Sequence, residues 1–167
     1  MQSTPVARSP ACAPFLARQT VQARATVNLP VAQARTRDQQ FIFMIEAYRN
    51  TGGIARSDEI NHWIRRSGGP DPATLNQWID MRSVLCFEWN DARWMPWFQF
   101  HRHTLHPHVQ LAPLLAELAP VFDPWETASW FALPSPWIGG RAPVDCLLSD
   151  LAGVLDAARA DRFVANG

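Results

Sequence analysis

Two glycine pairs, Gly52-Gly53 and Gly68-Gly69, cut residues 38–80 into three pieces, each long enough only for a short helix. Glycine ends helices because it takes the left-handed conformation without a Cβ clash. Each piece also carries a starting signal. Asp38, Ser57 and Asp71 can each accept a bond from a free first-turn N–H, and Pro72 is preset for the first helical position. Asp58 and Glu59 suit the positive end of the second helix dipole. The apolar residues recur at helical spacing: Phe41, Ile42, Ile45 and Tyr48, then Ile60, Trp63 and Ile64, then Leu75, Trp78 and Ile79.

A hairpin is expected next. Residues 84–89 are rich in strand formers, Asn90-Asp91 marks a turn, and residues 94–100 return, with Pro96 placing that strand at an edge or bulge. Beyond a His-rich connection, Leu111, Leu114, Leu115 and Leu118 form one helical stripe. Asp123-Pro124 opens a helix carrying Trp125, Trp130 and Phe131, and Pro134-Ser135-Pro136 closes it. After the loop Gly139-Gly140-Arg141, Pro143 begins a last helical stretch with Leu147, Leu148, Leu151, Val154, Leu155 and Ala158 on one face, broken near Ser149-Asp150. The expected fold is mainly α. A winged-helix-like module of three helices plus a β-hairpin covers residues 38–100, and a small C-terminal helical bundle covers 101–167.

Charge divides the chain differently. Residues 1–37 hold five arginines and no acid, whereas 67–167 hold six arginines and eleven acids. The first segment reads as a disordered basic arm whose four prolines (Pro5, Pro10, Pro14 and Pro30) interrupt any long helix. An organelle transit peptide or residues added by an upstream start codon share that composition. All fifteen basic residues are Arg, which excludes Schiff-base and P-loop chemistry. Cys12, Cys86 and Cys146 are scattered, as suits a reducing cytosol, and no apolar run is long enough to span a membrane.

In a winged helix the third helix enters the major groove. Here it offers Thr74, Asn76 and Gln77 to base edges, with Arg65, Arg66, Arg82 and Arg93 for phosphates of double-stranded DNA. A helical cap that touches no DNA fits the same residues, and Asp71 and Asp80 repel phosphate. His101, His103, His106 and His108 form a dense cluster, but in a connection containing Pro107, so no metal is expected. Six of the eight tryptophans lie between Trp89 and Trp137, to be divided between core and a binding patch. None of the GxSxG, HExxH, GxGxxG or Walker A motifs occurs, so neither an enzyme nor a cofactor is expected.

Phe98-Gln99-Phe100, Trp130-Phe131 followed by Pro134, Ile138-Gly139-Gly140-Arg141, and Pro143-Val144-Asp145 with Leu147 together resemble the toxin-binding domain of Xre/MbcA/ParS-type antitoxins, partners of RES-domain toxins. The likeness covers nearly half the chain. Ser135 stands where the family tends to have Asn, and the last residues differ from its Tyr-Gly ending. The resemblance implies a helical bundle that blocks an NAD-consuming toxin, often behind a helix-turn-helix that represses its own promoter; a homo-oligomer, or a hetero-oligomer with the toxin, is expected. The candidate partner-binding residues are Trp130, Pro134, Trp137, Gly139, Gly140, Arg141 and Phe163. Two alternatives stand beside the antitoxin reading: a DNA-binding regulator without a toxin, and an enzyme or metal-binding protein of unrecognised type.

Overall fold

The computed structural model describes the backbone of residues 29–167 and the side chains from residue 37 onward, Pro72 excepted. The disordered basic arm expected over 1–37 therefore lies largely outside the described residues, and its last part, from Leu29, is helical. It is a mainly helical protein with a small three-stranded antiparallel sheet. In chain order the elements are α1 (Leu29–Tyr48), β1 (Ile54–Arg56), α2 (Ser57–Arg66), α3 (Pro72–Asp80), β2 (Phe87–Trp89), β3 (Ala92–Pro96), α4 (Leu111–Leu118), α5 (Pro124–Ala132), α6 (Pro143–Cys146) and α7 (Leu151–Asn166).

Local signals hold where capping decides the outcome. Asp71 accepts from Ala73 N, Asp123 from Glu126 N and Asp150 from Gly153 N, so α3, α5 and α7 start where the acids allow. Glu126 returns a bond to Asp123 N and completes a capping box. Two starts differ from expectation. The first helix begins at Leu29, well ahead of Asp38, whose carboxylate instead accepts from Trp89 Nε1 at 3.1 Å. Ser57 is the first residue of α2 and Arg56 is its cap, with Glu59 Oε2 accepting from Arg56 N at 3.2 Å.

The sheet runs β1-β3-β2. Asn90 and Asp91 both have positive φ, 48° and 55°, which is the requirement of a tight two-residue hairpin turn. The strands are shorter than expected, because residues 97–99 wind into a 3₁₀ turn. Pro96 does not mark an edge: β3 is the central strand, and Pro96 is tolerated there as its last residue, opposite Ile54. The strand β1 had no sequence signal, being three residues after a glycine pair. It exists because β3 offers it an unpaired edge.

The two faces of the sheet carry different cores. Phe87, Trp89 and Trp94 share one face and receive Phe41 of α1, with ring centroids at 6.4, 3.8 and 5.0 Å. That core continues into α4, α5, α6 and α7. Ala55 and Met95, paired across the sheet, face the other way and are covered by Ile60, Ile64 and Leu75 of α2 and α3. Thus α1 lies across the sheet from α2 and α3 and packs with the C-terminal helices. Its buried face is Phe41, Met44 and Tyr48; Ile42 and Ile45 point outward. Trp63 is likewise outside its helix's core and more than half exposed. Both differences arise because the face a helix buries is chosen by its partner, and α1's partners lie far along the chain.

Two buried polar groups tie these layers. Tyr48 Oη donates to the Ala128 carbonyl at 2.7 Å. Gln99, fully buried, accepts from Leu85 N at 2.7 Å and donates to Leu85 O at 3.0 Å, so a side chain closes a ladder that the backbone leaves open.

Candidate functional site

The residues between α5 and α7 form a closed loop. Ser135 N donates to Arg141 O and Gly140 N to Ser135 O, both at 2.9 Å. Gly139 and Gly140 sit at φ 70° and 76°, consecutive left-handed positions that only glycine takes without strain. A Cβ would meet nothing there, so conformation rather than space selects them. Trp137 rides on this loop, 53% exposed, and its Nε1 donates to Asp161 Oδ1 at 2.7 Å. The second oxygen of Asp161 receives Nε1 of the buried Trp130, also at 2.7 Å. One carboxylate on α7 thus holds an inner and an outer indole. Leu133, at the end of α5, is exposed on the near side of the loop, and Phe163 and Val164 are exposed on the last turns of α7.

The structure distributes the expected partner-binding residues between framework and surface. Trp130 is core and Pro134 is exposed at the loop's entry. Arg141 serves the loop: Nε donates to Ile138 O at 3.2 Å and Nη2 lies 3.8 Å from the Asp150 carboxylate that caps α7. Trp137 and Phe163 remain as large apolar groups facing out. Asp161, which organises the arrangement, carried no signal in the sequence, because an acid on an exposed-looking helix turn gives no hint of two indole partners 24 and 31 residues earlier in the chain.

Of the residues expected at DNA, Asn76 and Gln77 are exposed on α3 and Thr74 is half-buried. Arg65, Arg66, Arg82 and Arg93 are exposed, and among the described residues none lies within ion-pair distance of a carboxylate. Asp71 occupies the N-terminus of α3 as its cap.

The histidines do not gather. Among the described residues no group of three or more His, Cys, Asp or Glu side chains converges on a point a metal could occupy. His101 and His108 do meet, with ring centroids 3.8 Å apart. Burial and the neighbouring His101 hold His108 below its ordinary value of 6.5. A histidine whose folded value is depressed takes its proton more readily in the unfolded chain. Stability therefore falls as pH drops through the unfolded value toward the folded one. We expect a lower urea midpoint at about pH 5.5 than at about pH 7.5, with the difference reduced in His108→Asn. An unreduced difference would assign it to other groups. Burial also pushes the Cys86 thiol up to about 11, which keeps it protonated and a poor nucleophile at neutral pH.

Sequence reasoning missed a cleft of about 730 Å3 where the two cores approach each other. It is lined by Thr51 and Trp63, by Trp97, Phe98 and Leu105, and by Val144, Leu147 and Leu148, together with the exposed His101 and Arg102. Its parts lie too far apart in the chain to form a motif.

Comparisons with protein-family models, with curated proteins and with solved structures find no match to this chain. Among the described residues no helix is long and apolar enough to cross a membrane.

Proposed function

We propose that the protein is a non-enzymatic regulator that grips a partner protein with the loop and helix end around Trp137, in the manner of an antitoxin neutralising an NAD-consuming RES-type toxin. The observation that carries this reading is the double indole clamp of Asp161. An exposed tryptophan normally loses rotamer freedom when a partner captures it. Here that freedom is already spent, so binding costs less, which is the property of an interface anchor. Leu133, Phe163 and Val164 supply apolar surface of the kind that surrounds such an anchor. The partner class follows from the antitoxin resemblance of the same segment. Arg141 keeps the loop in shape, and Pro134, Gly139 and Gly140 set its path.

The test is co-expression with the protein encoded by the neighbouring gene. That protein alone should deplete cellular NAD, and the intact chain should restore it. Trp137→Ala should weaken the complex by more than roughly 2 kcal/mol, the level of an interface hot spot, without changing the helical spectrum. Undiminished affinity would remove Trp137 from the interface, and a neighbour that leaves NAD untouched would remove the toxin reading.

A second reading concerns the other end of the molecule. Exposed Asn76 and Gln77, with four exposed arginines on α2, β3 and the turn after α3 that pair with no carboxylate among the described residues, support contact with double-stranded DNA. The winged-helix reading rests on the order of helices and hairpin, whereas α1 packs in a different core from α2 and α3. Replacing Asn76 and Gln77 with Ala should relax sequence preference while preserving salt-dependent affinity. An unchanged preference would place base readout elsewhere.

A further inference from the structure

The cleft between the two cores has a one-sided chemistry. Its body is aromatic and aliphatic, from Trp63, Trp97, Phe98 and Leu147, and its charged groups are all basic or neutral, with no carboxylate among its lining residues. Arg102 is exposed, and among the described residues no acid lies within ion-pair distance of it. Trp63 and Leu148 are 54% and 88% exposed, a large apolar cost for two residues that face one another's cleft unless something fills it. The volume is that of a site for one small molecule.

We propose that this cleft binds one small organic anion with an apolar, ring-sized body, its negative group held at Arg102 and His101 and its body between Trp63, Trp97 and Leu147. The charge complementarity is what selects an anion over a neutral hydrophobe. A guanidinium beside an aromatic and aliphatic lining makes a charge-assisted contact with a carboxylate or sulfonate, and among the described residues no acid pairs with it. Because the lining draws on the turn after α1 and on α2, and also on α6 and the residues after it, the bound anion touches both the sheet-bearing part and the C-terminal helices. It would therefore stabilise their present spacing by mass action. The proposal stands independently of the partner reading.

The experiment uses the full chain and two probes of the same ring skeleton: anilinonaphthalene sulfonate, which is anionic, and N-phenylnaphthylamine, which is not. Binding is followed by energy transfer from the tryptophans and by thermal melting. The expected result is one sulfonate bound per chain, a raised melting temperature, and weaker binding of the neutral probe by roughly tenfold or more, the loss of one charge-assisted contact. Arg102→Ala should weaken the sulfonate by a similar factor and leave the neutral probe unchanged. Leu148→Glu, at a position that is almost fully exposed and so tolerant of change, should repel the anion, whereas Leu148→Gln should not. Equal affinity for the two probes, indifference to Arg102→Ala, or binding of several molecules without a rise in melting temperature would overturn the proposal. So would concentration-dependent self-association lost in Trp63→Ala, which would make a second copy of the chain the occupant.

Discussion

Replacing Gln99 with leucine should lower stability by about 2–4 kcal/mol, read as a reduced urea midpoint with an unchanged slope. Leucine fills much the same space, so little packing is lost. What is lost is the pair of bonds to Leu85, at 2.7 and 3.0 Å, in a place that excludes water. Leu85 N–H and C=O are then both stranded, and each buried unsatisfied group costs about 1–3 kcal/mol. A loss below about 1 kcal/mol would mean that water reaches Leu85 in the folded chain. Gln99→Glu separates the two bonds, since a carboxylate can still accept from Leu85 N but cannot donate to Leu85 O. It should be no better than leucine, because it adds a buried charge.

Phe41→Ala should cost about 3–5 kcal/mol, the usual range for emptying a phenylalanine site in a packed core. Phe41 is 3% exposed and touches three aromatic rings on the sheet, stacked on Trp89 at 3.8 Å. The variant should also shift tryptophan emission, because Trp89 and Trp94 lose their cover. The result bears on organisation as well as stability. If α1 belonged to a self-contained N-terminal module, the loss would leave the C-terminal helices intact; the shared core predicts that both melt together. Separate transitions for the two parts would contradict that.

What was legible in the sequence was local. A cap needs one side chain and a backbone N–H two or three residues away, so Asp71 and Asp123 could be read directly, as could the Asn90-Asp91 turn and the Leu111–Leu118 stripe, whereas Asp150 was legible only as a break. The outward faces of Ile42, Ile45 and Trp63 could not, because they depend on which helix arrives from elsewhere. Strand β1 has too few residues for any period to show. Gln99 reads as an ordinary polar residue between two phenylalanines, and only the break in the ladder beside Leu85 explains its burial. For the candidate sites, the sequence left the tryptophans undivided between core and surface, and the structure has Trp130 buried and Trp137 exposed. The role of Asp161 and the whole of the cleft were invisible because each joins residues from distant parts of the chain.

The placement of α1 has a consequence for how the protein is made. Tyr48 meets Ala128, its hydrogen-bond acceptor, eighty residues later in the chain. At about 5–20 residues per second, a ribosome needs roughly 4–16 seconds to deliver that partner after α1 has been synthesised. For that interval Met44 and Tyr48 lack their cover from α5, on a nascent chain that also exposes Ile42 and Ile45 on its other side. The first helix made is thus among the last to be finished, and it is the segment a chaperone would meet.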